Sequence, residues 1–180
     1  PGAALAMTEV VQSGAPLGIW TEVPARRDET VAHAQRAVRV EVKELPPIEQ
    51  LEREWAGIDP RSRQERLRRA RRLRATYDDL ENAVHPLWVW RLGGLAIVAH
   101  PGEAYSALQS RLRARFPGSA ILVLNLVNGP GWVYLPPREA YEADRYQSWQ
   151  TILRPGSLEA LVEAADAALT GLGLPRAEAS

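Results

Sequence analysis

The sequence predicts an α/β fold: a mixed β-sheet that contains a βαβ unit and is packed by helices. Three stretches carry that expectation. Leu87-Trp88-Val89-Trp90-Arg91 and Leu95-Ala96-Ile97-Val98-Ala99 flank Gly93-Gly94 and read as a hairpin. Its second strand is apolar on both faces, so it belongs inside the sheet. Beyond His100-Pro101-Gly102-Glu103, Leu108, Leu112 and Phe116 recur every four residues, the spacing of one helix face, before Pro117-Gly118 and a further apolar strand from Ala120 to Val127. Strand, helix and strand with short links make the two strands parallel neighbours with a right-handed crossover.

The other elements follow in chain order. Residues 1–36 are rich in Gly, Pro and Ala without a sustained period and read as an irregular entering segment. Residues 37–85 supply a strand and a helical hairpin. In Ala37-Val38-Arg39-Val40-Glu41-Val42-Lys43 the valines alternate with polar residues, and Pro46-Pro47 ends the strand. Ile48, Leu51 and Trp55 then recur at helical spacing, the chain turns at Gly57-Ile58-Asp59-Pro60, and a second helix aligns Ala70, Leu73, Tyr77 and Leu80. Residues 86–173 hold the βαβ core and a last helix, with Ser157 as N-cap and Leu158, Leu161, Val162, Ala165 and Leu169 facing inward before Gly171 and Gly173. No internal repeat is present, and the whole reads as a single unit.

Composition narrows the function classes. Charged residues make up 24% and the formal net charge is zero, so no bulk field draws the chain to nucleic acid or to an anionic membrane, and any partner is recognised locally. The absence of cysteine removes disulfides, thiolate metal sites and a cysteine nucleophile, and leaves the compartment undecided. Any metal must be held by His, carboxylate or phenolate groups. No apolar run is long enough to span a bilayer. An opening Pro1-Gly2-Ala3-Ala4, with no initiator methionine and no signal-peptide pattern, reads as a piece of a longer product. The Arg-rich run from Arg61 to Arg74 reads as a solvated helix face, because the apolar stripe already gives that helix a packing role. Trp88 and Trp90 alternate on one strand face, where burial in a core or interface is the expectation.

Parallel neighbours deliver the carboxyl ends of both strands to one sheet edge, the place where open α/β proteins build their sites. His100-Pro101-Gly102-Glu103 leaves one strand there and Asn128-Gly129-Pro130-Gly131-Trp132-Val133-Tyr134 leaves the other. Glu103 is expected in the first turn of its helix, where the dipole favours a carboxylate, either as a capping group or as a metal ligand or base.

These residues resemble a known family. Pro101-Gly102-Glu103, a helix bearing Arg111-Leu112-Arg113, an apolar strand, Asn128, a following tyrosine and Glu139-Ala140-Tyr141-Glu142-Ala143-Asp144-Arg145-Tyr146 are similar to the C-terminal half of the neutral/alkaline ceramidase catalytic domain. The resemblance runs from about Leu95 to Leu161. It implies part of a larger, two-part catalytic domain that hydrolyses an N-acyl, ceramide-like amide with zinc. Glu103 and Tyr134 would be zinc ligands, and Tyr146, twelve positions after Tyr134, would hold substrate or the developing oxyanion. Asn128, with Trp132 and Trp149 beside the two tyrosines, would contact substrate. Zinc would polarise the carbonyl and bring the pKa of water toward neutrality.

The family's histidine ligands and a serine come from a more N-terminal half that this chain does not show. Of His33, His85 and His100, only His100, three residues before Glu103, is a further site candidate. Because a catalytic zinc usually takes three protein ligands, the chain alone is expected to hold metal weakly and to be inactive. The remaining ligands would come from the N-terminal part of the same protein or from another copy. Gln147-Ser148-Trp149-Gln150-Thr151 departs from the small Ser/Thr-rich segment of ceramidases, so ceramide is only one candidate substrate beside a different N-acylated lipid or small amide. The competing reading is a non-catalytic scaffold that uses the same rim as a binding surface, and a second is an Arg-helix interaction module.

Overall fold

The computed structural model describes residues 3–13, 15–24, 28–77, 84–129, 134–143 and 145–177. At its centre lies a four-stranded mixed sheet in the order β3 (Val31–Arg39), β4 (Val84–Leu92), β5 (Leu95–Ala99) and β7 (Ala120–Leu124). β3 and β4 are antiparallel over their full length, from Val31 opposite Leu92 to Arg39 opposite Val84. β4 returns into antiparallel β5 through Gly93-Gly94. Gly93 has φ 61° and a Cβ there would stand 2.5 Å from the Asp28 carbonyl oxygen, so both backbone and space call for glycine. β5 and β7 are parallel and joined by α3 (Ala107–Arg115), which completes the βαβ unit the sequence predicts and places β5 in the sheet interior.

The inner face of the sheet carries Val38, Leu87, Val89, Ala96, Val98 and Ile121. Against it lie α3 and α6 (Ser157–Gly171), with the short α4 (Arg138–Glu142) between them in the chain. Leu108, Leu112 and Phe116 from α3, and Leu158, Leu161, Val162, Ala165 and Leu169 from α6, are essentially inaccessible, each large side chain contributing roughly 1.5–3 kcal/mol of hydrophobic stabilisation. The two helices are also tied by Arg111–Glu159 at 2.8 Å and Arg115–Asp166 at 2.6 Å. Asp166 is buried and pairs with Arg176 as well, so the carboxylate is not left without a counter-charge.

The outer face is different. Register places Trp88, Ala99 and Leu124 in one cross-strand row, Trp90, Ile97 and Leu122 in the next, and Leu92, Leu95 and Ala120 in a third. Both tryptophans are half-buried, and Leu122 and Leu124 are exposed at 44% and 45%. A helical hairpin stands apart from the main core, with α1 (Ile48–Glu54) and α2 (Pro60–Tyr77) closing a small second core of Leu51, Leu67 and Ala70. Asp59 caps α2 by accepting hydrogen bonds from the Arg61 and Ser62 amides, both 3.1 Å, with Pro60 at the first helical position. Leu80 and the side chains of Leu73 and Tyr77 lie outside the described residues.

Four expectations are corrected. The segment 1–36 is not irregular: β1 (Ala3–Ser13) and β2 (Ala15–Pro24) pair antiparallel, and β3 begins at Val31. A separate hairpin satisfies its ladder by pairing across the turn and needs no alternating buried face; Met7, Ile19 and Trp20 are exposed. The strand expected through Lys43 stops at Arg39, because β4 starts opposite it, and the chain then pairs with 152–154 through a single bridge, Val42 to Leu153. The last apolar strand ends at Leu124, since Leu126 and Asn128 are left-handed, φ 63° and 51°. Ser157 is the first residue of α6 rather than its cap; its hydroxyl donates to the Arg154 carbonyl, and Gly156 at φ 104° precedes the helix.

Candidate functional site

Where β5 ends, the chain turns through His100-Pro101-Gly102 into β6 (Glu103–Ala104), which pairs in parallel with β8 (Tyr134–Leu135). Glu103 therefore sits on a short strand, not in the first turn of α3, whose helical residues begin at Ala107. The change of element matters, because the register of this strap sets Glu103 directly opposite Tyr134. Partners in register share a face of the sheet, so the carboxylate and the phenol stand side by side. Tyr146 opens α5 (Tyr146–Gln150) and meets Tyr134 edge to face, ring centroids 6.2 Å apart at 70°. Burial is the main cause that raises the Tyr134 phenol above its ordinary pKa; the charges of Glu103 and Tyr146 add to it, and Arg69 of α2 opposes them. Acid, two phenols and a guanidinium thus share one neighbourhood.

Two-residue strands cannot hold themselves together, and side chains do it for them. Thr151 Oγ1 donates to the Tyr134 carbonyl at 2.7 Å, and Tyr105 donates its hydroxyl to Gln147 Oε1 at 2.7 Å, which ties the segment after Glu103 to α5. Lys43 donates to the Ser148 carbonyl from beneath α5. The two rim loops are stitched by backbone bonds, Leu126 N–H to Gly102 and Val127 N–H to His100, both 3.0 Å. Gly129 lies so close to Pro101 that an added Cβ would fall 1.9 Å from the proline Cβ.

His100 lies below this rim, fully buried. Its Nε2–H donates to Asn125 Oδ1 at 2.7 Å, and Asn125 Nδ2 donates in turn to the Ala104 carbonyl at 3.0 Å, which fixes the amide orientation. Nδ1 is then an acceptor, taking the Gly102 N–H and His85 Nε2–H, both at 3.2 Å. Burial drives both histidines well below their ordinary pKa, to about 4. With both nitrogens used inside the protein, His100 shapes the rim and offers no lone pair to a metal there.

The sequence-derived candidates divide accordingly. Glu103, Tyr134 and Tyr146 come together. Asn128 is exposed on the loop that follows β7. Trp132 lies outside the described residues, and Trp149 lies in α5 with a side chain outside them. Among the described residues no three His, Asp or Glu side chains converge to hold a metal. Sequence reasoning missed Arg69, Asn125 and Tyr105. Arg69 was hidden in a run of similar arginines, and no local pattern distinguishes Asn125 from Asn128.

No protein-family pattern and no curated protein matches the chain. Solved structures do. A ceramidase complexed with C2 is 23% identical, with TM-score 0.35, over 54% of this chain and 16% of that one. The neutral ceramidase from Pseudomonas aeruginosa is 16% identical, with TM-score 0.42, over 84% of this chain and 30% of that one. This chain spans less than a third of the length of either.

Proposed function

We propose that this chain supplies part of the active site of a ceramidase-like amidohydrolase, cleaving an N-acyl amide of a lipid or small molecule with zinc. The observation that supports it best is the pairing of Glu103 with Tyr134 in register, with Tyr146 edge-on to the same phenol. Two oxygen donors on one short strap suit a divalent cation, and a carboxylate is a normal zinc ligand; a phenolate is less usual. Glu103 and Tyr134 would hold the ion, with its remaining ligands from the N-terminal part of the same protein or from another copy. Zinc held there would supply Lewis-acid polarisation of the carbonyl and would lower the pKa of water toward neutrality.

The chain's own residues have the other tasks. Tyr146 directs an O–H donor at the amide oxygen, where negative charge builds as the carbonyl carbon becomes tetrahedral. Glu103, when ionised, offsets the cation's charge. His100 and Asn125 keep the rim from collapsing. The outer sheet face, rich in Trp and Leu, is where the completing half would pack.

The test is reconstitution. The purified chain should retain little zinc after dialysis and show no amidase activity. Joined to its upstream portion, it should bind about one zinc per chain and hydrolyse N-acyl amides, and Glu103→Gln should remove both. Tyr146→Phe should keep zinc but lower kcat by about 10²–10³-fold, the usual loss for one oxyanion donor. A joined protein free of zinc, or fully active with Tyr146→Phe, overturns the reading.

A further inference from the structure

Part of the arginine run of α2 lines a groove rather than facing open solvent. Trp55, Arg61, Glu65, Arg66, Arg69 and Tyr146 are among the residues around an open groove of about 470 Å³ between the helical hairpin and α5. That volume falls in the range of small-molecule sites, roughly 300–1,000 Å³. One end is the tyrosine assigned above to the substrate oxygen, and the Arg69 side chain lines the groove beside it. The walls named carry three guanidinium groups and one carboxylate, an excess of two positive charges. Glu65 is shared between Arg68, outside the lining, and Arg69, so within the groove its charge goes to Arg69. Trp55 and Tyr146 add apolar surface, and the Arg66 guanidinium lies over the Trp55 ring at 5.9 Å, which holds it at the groove wall.

We propose that this groove binds the carboxylate of an acidic amide, so that the substrate is of the N-acyl amino acid class; this rests on the amidohydrolase reading of the rim. The spacing of the arginines is the reason for the class. A helix rises 1.5 Å per residue, so Arg66 lies about 4.5 Å along the axis from Arg69, and Arg61 about 12 Å. With the amide at Tyr146, a carboxylate close to the amide nitrogen would meet Arg69 beside that tyrosine, with Arg66 about one turn further along the same groove wall. Guanidinium forks match a planar carboxylate with two parallel bonds, which an alcohol headgroup cannot accept. In the hydrolysis, the oxygen of water joins the acyl carbon, the C–N bond breaks, and the departing nitrogen takes a proton, giving a fatty acid and a free amino acid.

Binding to the purified full chain can be measured without turnover, by calorimetry at low salt, with N-lauroylglycine, the neutral N-lauroylethanolamine and inorganic phosphate, each below micelle-forming concentration. The acid should bind about tenfold or more tighter than the neutral amide, the worth of one charge-assisted hydrogen bond. Arg66→Gln should abolish that preference and Arg61→Gln should leave most of it, while Arg72→Gln, outside the groove lining, should change nothing; chain folding is checked by circular dichroism. Equal affinity for acid and neutral amide overturns the inference, as does phosphate binding as tightly as the acylated acid. The two readings fail separately: a reconstituted enzyme with no acid preference sinks this one alone, and acid-selective binding by a protein that never hydrolyses amides sinks the hydrolase.

Discussion

At the scale of single residues, the buried pair His85 and His100 gives a prediction with a definite sign. Burial lowers both, to about 4 in the folded chain against 6.5 for an exposed histidine. The unfolded chain therefore binds more protons between these values, and stability is complete above about pH 6.5 and falls as the pH drops toward 4. Between pH 7 and pH 5 the loss is about 2 kcal/mol per histidine, read by urea unfolding at the two values. His85→Gln keeps a donor to His100 Nδ1 and should remove about half of the slope. The lowered carboxylates, Glu159 and Glu163 among them, begin to lose their contribution only as the pH falls into the ordinary carboxylate range, which is why the comparison stops at pH 5. A flat profile would show that the histidines are not closed off from water. Sequence alone allowed His100 as a ligand because its place before Glu103 was legible; its saturation was not. That depends on His85, fifteen residues away, and on Asn125, whose amide closes the circuit.

Elements differ in how far their sequence determines them. Leu108, Leu112 and Phe116 define one helix face by spacing, and all three are inaccessible. β5 is apolar on both sides and is interior. The strap of β6 and β8 carries no such pattern, because two residues have no period, and its pairing is fixed by packing between loops far apart in the chain. Gly129 tests that packing. With Pro101 Cβ 1.9 Å from any added Cβ, Gly129→Ala must push the loops apart, a cost of about 1–3 kcal/mol, with faster amide exchange at Leu126 and Val127. Gly57 is the control: nothing lies within 4 Å of its Cβ position, so Gly57→Ala should be neutral or stabilise by up to about 1 kcal/mol. Equal stability of the two variants would mean that the strap does not hold the site.

For the molecule as a whole, the unequal faces of the central sheet decide its behaviour. The inner face is sealed by α3 and α6, whereas the outer face presents rows of Trp, Ile and Leu with edge strand β7 at one side. Alternation in β4 announced the two tryptophans, but it could not say whether that side was covered; an apolar residue that awaits a partner and one already buried look the same in sequence. A contiguous apolar patch on a neutral chain favours association, since neither water nor net charge opposes it. The isolated chain should therefore self-associate at micromolar concentration and bind a hydrophobic dye. Leu122→Lys with Leu124→Glu should shift it to monomer in sedimentation and weaken dye binding severalfold. Because both leucines are more than two-fifths exposed, unfolding stability should move by no more than about 0.5 kcal/mol. The same pair, introduced in the chain joined to its upstream portion, should block zinc retention even though neither residue touches the rim. Retention of zinc by that variant would mean that the completing ligands arrive by another surface.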